Sequence, residues 1–302
     1  MKKTVRLFSI MAVIVAGCTT ACGQNAIKNT ADDSGKVKVM TSFYTMYDFA
    51  QKIGGEKVEI TNMVPSGTEP HDWEPSAIDI RNMEDADVFI YNGAGMEHWA
   101  EDILKSLDNS ELITVEASEG VELIREGKEN DPHVWLDPEN AKIEMEHIKD
   151  AFIEADKDNA EYYNKNYETY SRQLDGLNQE FEETLSQVTN KDIIVAHKAF
   201  GYLCKAYGLN QIAIEGLMPD SEPDPARMEE IIQLAKKKKI NTIFFEELVS
   251  PKVANTIAKE IGAKTEVLNP LEGLSEEQMD AGEDYFSVMR TNLKQIKKAL
   301  EN

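Results

Sequence analysis

The chain has 302 residues, 41% of them hydrophobic and 29% charged, which is an ordinary composition for a soluble globular protein. This length exceeds what one hydrophobic core usually supports, so we expect two domains or lobes. The formal net charge of -23 argues against nucleic acid and against an anionic membrane surface as binding partners, whereas it favours a cationic ligand.

The N-terminus has the pattern of a targeting segment rather than of a folded element. Lys2 and Lys3 precede the apolar run Leu7–Val15, which is too short to span a membrane. We therefore expect residues 1–17 to be a signal peptide that is removed on export.

Two cysteines follow this apolar run. Cys18 ends the sequence Val-Ala-Gly-Cys, which resembles the bacterial lipobox, whose cysteine is lipidated after cleavage. Cys22 is a weaker candidate for the lipid anchor, because a threonine stands three positions before it. Residues 18–36 are polar and rich in small side chains, so we expect a flexible tether. Cys204 then remains as a single thiol, which predicts neither an intramolecular disulfide nor a zinc-thiolate cluster.

Strand-like and helix-like patterns alternate after the tether. Such alternation predicts a parallel sheet with helices on both faces, in which ligands lie at the carboxyl ends of the strands. The predicted strands are Val37–Thr41, Val58–Val64, Ala86–Asn92 and Leu112–Val115, and the predicted helices are Met46–Ile53, Ala77–Met83, Trp99–Leu107 and one from Asp137-Pro138 to about Ala155.

Apolar and aromatic residues then recur every three or four positions from Tyr163 to Val188. This spacing predicts one amphipathic helix of roughly 30 residues, about 45 Å long, with a coiled-coil segment as the alternative. Because α/β patterns lie on both sides, we interpret residues 157–190 as a helix that joins an N-terminal lobe, 37–156, to a C-terminal lobe, 191–302.

The second half of the chain repeats the alternation. Ser250 is expected to cap a helix that begins at Pro251. The other predicted elements are the strands Asp192–Ala196, Gln211–Ile214, Asn241–Phe245 and Thr265–Leu268 and the helices Ala199–Tyr207, Pro225–Lys238 and Tyr285–Leu300.

Three histidines stand at predicted strand ends or on stiff loops. His71 lies between two prolines in Glu-Pro-His-Asp-Trp-Glu-Pro, and His133 lies in the similar Asp-Pro-His-Val-Trp-Leu-Asp-Pro. His197 directly follows the strand that begins at Asp192. Proline excludes regular helix here, so these imidazoles are held at one edge of a sheet, as a metal site requires. His98 and His147 fall outside these patterns, and we interpret them as surface residues.

Together these segments resemble the zinc/manganese substrate-binding lipoproteins of ABC importers, in particular the zinc branch of Gram-positive bacteria. The resemblance extends from the lipobox to the last helix. It rests on the two proline-flanked histidine motifs, on Ala-His-Lys-Ala-Phe-Gly-Tyr at 196–202, and on Phe-Phe-Glu-Glu at 244–247 with Ser-Pro-Lys at 250–252. It implies two α/β lobes with parallel sheets, joined by one long rigid helix, with one metal ion in the cleft between them.

The resemblance further implies that His71, His133 and His197 bind the metal. For the fourth ligand we expect Glu272, with Glu246, Glu247 and water as the alternatives. Relatives often have an aspartate where this chain has Asn269, and a neutral amide is a poor zinc ligand, so Asn269→Ala is expected to have little effect. Many zinc members also carry a histidine-rich loop, whereas Ser118–Asn130 is short and contains no histidine.

The function implied is a monomeric receptor, lipid-anchored on the outer face of the cytoplasmic membrane, that binds one Zn²⁺ and delivers it to an ABC permease. Imidazole ligands favour zinc over manganese, although a manganese or mixed-metal receptor is the alternative. A zinc hydrolase is a further alternative, but the chain has no His-Glu-x-x-His motif and no nucleophile elbow. A surface adhesin, a role claimed for some family members, is not favoured by any sequence feature. We expect no enzymatic activity.

Overall fold

The computed structural model describes residues 35–219 and 223–301. The part of the chain from Gly35 onward forms one compact unit. The predicted signal peptide, Cys18 and nearly all of the tether lie outside the described residues. In the described ranges, no helix is both long enough and apolar enough to cross a membrane.

The first half of this unit contains a sheet of four parallel strands with helices around it. Its elements are β1 (Val37–Thr41), α1 (Tyr44–Gly54), β2 (Val58–Asn62), α2 (Ala77–Glu84), β3 (Val88–Tyr91), α3 (Ala100–Ser106), β4 (Ile113–Glu116), the antiparallel hairpin β5 (Arg125–Glu126) and β6 (Glu129–Asn130), α4 (Pro138–Ala155) and the long helix α5 (Ala160–Leu185). The strand order is β2-β1-β3-β4.

The second half contains another sheet of four parallel strands. Its elements are β7 (Asp192–Val195), α6 (Gly201–Tyr207), β8 (Asn210–Ala213), α7 (Pro225–Lys238), β9 (Thr242–Phe245), α8 (Lys252–Ile261), β10 (Lys264–Val267), α9 (Glu276–Asp280) and α10 (Tyr285–Leu300). The strand order is β10-β9-β7-β8. Read from the β8 edge, it is second strand, first, third, fourth in chain order, which is also the order of the first sheet. The predicted fold class is therefore confirmed, and both lobes have the same topology.

Helix α5 contacts both halves. Toward its N-terminus, Asn166 donates to the Ile53 carbonyl of α1 at 2.8 Å, and the Tyr163 ring packs against Phe152 of α4 with centroids 5.6 Å apart. Near its C-terminal end, Phe181 stacks on Tyr207 of α6 with ring centroids 4.9 Å apart, and Glu180 pairs with Arg290 of α10 at 2.9 Å. The helix has 26 residues, about 39 Å, and ends at Leu185 rather than near Val188. The lobe boundaries given above stay a prediction.

A continuous hydrophobic core crosses from one half to the other. The ring of Tyr285 in α10 packs edge-on against Phe49 of α1, with centroids 5.0 Å apart, and its hydroxyl donates to the Trp135 carbonyl at 2.7 Å. Aromatic rings on three different elements thus share one core. Such burial resists independent movement of α5 and α10 relative to the first sheet.

Two local predictions need correction, and two elements were not predicted. Helix α8 begins at Lys252 with Pro251 in the cap position, and no side chain caps it, so Ser250 does not have the predicted role. His147 is half-buried rather than solvated, because its Nδ1 lies 2.9 Å from the Ala117 carbonyl. The hairpin β5–β6 and helix α9 are too short to produce a recognisable periodicity, and they were not expected.

Candidate metal centre

The structure brings the four predicted ligands together between the carboxyl edges of the two sheets. His71 lies in the loop after β2, His133 lies after β4 and the hairpin, His197 follows β7, and Glu272 follows β10. Their exposed fractions are 4%, 0%, 0% and 1%, respectively. Four polar side chains so completely removed from water require partners, which a bound cation would supply.

The distances between these groups match a tetrahedron around one ion. The Nε2 atom of His133 lies 3.2 Å from Nε2 of His71, 3.2 Å from Nε2 of His197 and 2.9 Å from Oε1 of Glu272. The same carboxylate oxygen lies 3.4 Å from Nε2 of His71 and of His197. A tetrahedral zinc site with Zn–N bonds of about 2.0–2.1 Å has edges of about 3.3 Å. One ion at the centre would therefore reach all four atoms.

Two carboxylates orient two of the imidazoles. Oδ1 of Asp131 lies 2.7 Å from Nδ1 of His133, and Oε1 of Glu246 lies 2.6 Å from Nδ1 of His197. When Nδ1–H donates to a carboxylate, the lone pair of the ring remains on Nε2 and points into the cluster. Glu246 therefore lies behind a ligand rather than among the ligands.

A third carboxylate fixes the loop of His71. The backbone N–H of His71 donates to Oε1 of Glu69 at 3.1 Å, while Oε2 of Glu69 is buried with no hydrogen-bond partner. Burial, and then the negative charge of Glu272, raise the pKa of Glu69 to about 9. Neither Glu69 nor Asp131 was predicted from the sequence to have a role of its own. The signal that could have found them is the shared order acid-Pro-His in both loops.

The electrostatics of the cluster favour positive charge at its centre. Burial lowers the pKa of His197, but the charges of Glu246 and Glu272 outweigh it and raise that pKa well above its usual value. For His133, burial is likewise outweighed by hydrogen bonds to Asp131 and Glu272, so its pKa is raised. Burial would raise the pKa of Glu272, yet the neighbouring histidines, His197 foremost, hold it well below its usual range.

Glu272 belongs to a connecting segment, residues 269–274, that is bonded to the first lobe. The indole N–H of Trp135 donates to the Pro270 carbonyl at 2.7 Å, and the hydroxyl of Thr45 donates to the Leu271 carbonyl at 2.5 Å. The hydroxyl of Ser66 donates to the Leu274 carbonyl at 2.6 Å. The first lobe therefore holds in place the segment that carries Glu272, although this segment follows β10 of the second sheet.

The other candidates lie outside the cluster. Oε2 of Glu247 accepts hydrogen bonds from Asn269 and Gln278, each at 2.8 Å. His98 is on the surface as expected, with 54% of its side chain exposed and Glu74 at 3.5 Å. Among the residues that the structure describes, the group with metal-binding geometry is His71, His133, His197 and Glu272.

Two parallel α/β sheets with a buried three-histidine, one-carboxylate cluster between them define the class: a two-lobed binding protein for a transition-metal ion. The chain belongs to the family of the periplasmic zinc-uptake complex component A, ZnuA, whose sequence profile matches residues 39–299. The resemblance noted from the sequence motifs is thereby confirmed.

Three relatives show how far the similarity extends. The high-affinity zinc uptake system protein ZnuA of Bacillus subtilis is 42% identical over 95% of this chain and 96% of its own length. The zinc-binding lipoprotein AdcA of Streptococcus pneumoniae is 38% identical over 100% of this chain, which spans only 62% of AdcA. The crystal structure of the Zn(II)-bound ZnuA-like domain of AdcA is 42% identical, with a TM-score of 0.81 over 89% of this chain and 100% of that domain.

After ZnuA and AdcA, the third relative is the laminin-binding protein Lmb of Streptococcus agalactiae, described as bifunctional with adhesin and metal-transporting activity. Its structure is 34% identical, with a TM-score of 0.82 over 88% of this chain and 99% of its own.

Proposed function

We propose that this chain is an extracytoplasmic receptor that binds one Zn²⁺ through His71, His133, His197 and Glu272 and delivers it to an ABC import permease. The observation that carries this proposal is the tetrahedral spacing of the four buried ligand atoms, all within 4.8 Å of one another. The zinc-uptake relatives support the same cargo.

The ligand set favours zinc over manganese. Imidazole nitrogen with one carboxylate oxygen suits zinc in a four-coordinate site, whereas manganese prefers more oxygen ligands and a higher coordination number. The carboxylates of Asp131 and Glu246 support the imidazoles from behind, which makes the nitrogen ligands stronger donors.

The same ligand set favours a protein that binds and transports the ion over an enzyme that uses it in catalysis. A catalytic zinc keeps one coordination position for water or substrate. Four protein atoms at tetrahedral spacing fill every position of such a site, and the ligands are almost completely buried. A hydrolase would require one of these ligands to leave.

The cellular setting is part of the proposal. A lipid anchor on Cys18 would hold the receptor at the outer face of the membrane, and residues 19–36 would form a tether between the anchor and the folded part. The lipoprotein relative AdcA supports an anchored receptor. A monomer is sufficient, because one chain provides all four ligands.

Adhesion is a second candidate function, supported by the similarity to Lmb. Its test is binding of the chain to immobilised laminin, with the B. subtilis zinc-uptake protein as the reference for background retention. Retention no greater than that reference would remove this candidate.

Native mass spectrometry of the full chain, purified without added metal, tests the receptor proposal. We expect one bound zinc ion per chain, lost in His133→Ala and retained in the control His98→Ala. A parent chain that binds no zinc, or that binds it equally well without His133, would contradict the proposal. Turnover of ester, peptide or phosphate substrates that His71→Ala abolishes would instead favour the hydrolase.

A further inference from the structure

The side-chain amide of Asn269, in the segment that carries Glu272, both accepts and donates a hydrogen bond. Its Oδ1 accepts the Leu271 backbone N–H at 2.7 Å, and its Nδ2 donates to Oε2 of Glu247 at 2.8 Å. Its backbone N–H donates to Oδ1 of Asn292 at 3.0 Å, and its carbonyl accepts Nδ2 of Asn292 at 2.7 Å. Both amide groups are therefore satisfied within the protein.

These bonds hold a backbone conformation that does not form readily. Leu271 has a φ of +64°, in the left-handed region that is costly for a residue with a branched side chain, and this side chain is completely buried. Asn269 accepts from the amide two residues on, which is the hydrogen bond of an Asx turn. The turn ends directly at Glu272, so its direction sets where the ligand carboxylate points.

We propose that Asn269 is a positioning residue for the metal centre: it does not bind the ion, but fixes the turn that places Glu272 against the three histidines. This inference rests on the proposed function, because it assigns a role within the same site. It replaces the sequence-based expectation that Asn269→Ala has little effect. An amide suits this position better than a carboxylate, because Nδ2 of Asn269 donates to Oε2 of Glu247 at 2.8 Å, where a carboxylate would meet a second negative charge.

Substitutions can test the two hydrogen bonds of the Asn269 side chain separately. Asn269→Asp retains an oxygen for the Leu271 N–H but places a second negative charge against Glu247. Combining it with Glu247→Gln removes that charge repulsion, because the glutamine NH₂ group can donate to the new carboxylate while its carbonyl oxygen accepts the hydrogen bond from Gln278. Asn255→Asp adds the same charge on the exposed face of α8 and serves as the matched control.

Zinc affinity and the visible absorption of bound Co²⁺ are the two readouts. We expect Asn269→Asp to weaken zinc binding by about tenfold or more, in the range found when groups behind metal ligands are altered. Displacement of Glu272 should also change the intense absorption of four-coordinate Co²⁺ into the weaker bands of higher coordination. The double variant should recover the parent spectrum and come within about threefold of the parent affinity.

An Asn269→Asp variant with the parent affinity and spectrum would overturn the proposal, as would a double variant that recovers neither. Failure of the receptor function is distinguishable, because then the parent chain itself would bind neither ion. In that case the hydrogen-exchange rate of the Leu271 amide, measured without metal, tests whether Asn269 stabilises the turn. It should be faster in Asn269→Ala than in Asn269→Asp, and equal rates would overturn the role of Asn269.

Discussion

One carboxylate oxygen of Asp131 holds His133 twice, at the backbone N–H at 3.0 Å and at ring Nδ1 at 2.7 Å. Glu246 has the same relation to His197, with its Oε1 at 3.4 Å from the backbone nitrogen and 2.6 Å from Nδ1. Each acid thereby sets the position of the main chain and the rotation of the ring together. The metal-binding nitrogens need little further ordering when an ion arrives.

Removal of the Asp131 carboxylate should weaken zinc binding without removing a ligand. Asp131→Ala leaves the His133 ring free to rotate and to adopt the other tautomer, so we expect a loss of about 10–100-fold in affinity. Competition with a chromophoric chelator measures it. The control is Asp175→Ala, which removes an exposed carboxylate on α5. Parent-like affinity in Asp131→Ala would show that the ring is fixed by packing alone.

Glu272→Ala should weaken zinc binding by more than tenfold, because it removes the carboxylate oxygen that lies 2.9–3.4 Å from the three imidazole nitrogens. Glu260→Ala, which removes an exposed carboxylate on α8, serves as the comparison. Isothermal titration of both variants measures the difference. A Glu272→Ala chain that binds zinc like the parent, beside a Glu246→Ala chain that does not, would move the fourth ligand to the end of β9.

The stability of the zinc-free protein and the additional stability that zinc provides should change with pH in opposite directions. The pKa values of His133 and His197 are raised in the fold, so their protonation stabilises it fully below the unfolded value of about 6.5, and this contribution is lost as pH rises through the folded values. Zinc must displace these protons. The pKa of Glu272 is depressed, so its contribution is lost only at lower pH.

The increase in melting temperature caused by zinc should therefore be large at pH 7.5 and small at pH 5, whereas the melting temperature without zinc should fall as pH rises above about 6.5. Differential scanning calorimetry measures both. His98→Ala should behave like the parent. An equal effect of zinc at both pH values would argue against a site with three histidines.

Glu144 on α4 offers a route to higher stability. It is completely buried, and neither carboxylate oxygen has a hydrogen-bond partner among the residues that the structure describes. Burial, with a smaller effect from Glu97, raises its pKa well above the usual value. Since a raised carboxyl pKa destabilises the fold as pH rises above the unfolded value, Glu144→Met should raise the melting temperature, more at pH 8 than at pH 5. Glu154→Met, at an exposed position on the same helix, is the control. A lower melting temperature at pH 8 would point to a buried partner for Glu144.

The lipid anchor stays a prediction from sequence alone. Cys18→Ala should release the chain into the medium or leave the signal peptide uncleaved, because lipid attachment precedes cleavage at a lipobox. Cys22→Ala should remain membrane-bound. Cell fractionation with mass analysis of the mature N-terminus distinguishes them, and the reverse pattern would move the anchor to Cys22.

Strand and helix periodicity predicted the parallel sheets, and the carboxyl-edge rule predicted where His71, His133 and His197 meet. These features depend on local sequence, so they can be predicted from the periodicity of apolar residues and from the positions of strand ends. Glu272 was expected as the fourth ligand, and the structure brings its carboxylate to within 3.4 Å of the three imidazole nitrogens. Glu246, one of the alternatives, instead supports His197 from behind through Nδ1.

What could not be predicted depends on contacts between distant segments. Thr45 and Leu271 are 226 positions apart, and no local pattern reveals that one donates to the other. The role of Asn269 was missed for the same reason, because it was considered only as a ligand. Ser250 was read as a cap from residue type, although the cap depends on the backbone that the preceding loop adopts.

The bonds that Trp135, Thr45 and Ser66 make to the segment carrying Glu272 divide the metal centre unequally. His71 and His133 lie on loops of the first half and these three bonds tie the segment of Glu272 to it, whereas His197, with Glu246 behind it, is held at the edge of the second sheet. A small outward tilt of the second sheet would thus withdraw one imidazole and leave the ion three-coordinate, with a vacant position open to water or to a group on an acceptor protein. Unloading the cargo would then proceed by stepwise ligand exchange instead of dissociation of a bare ion.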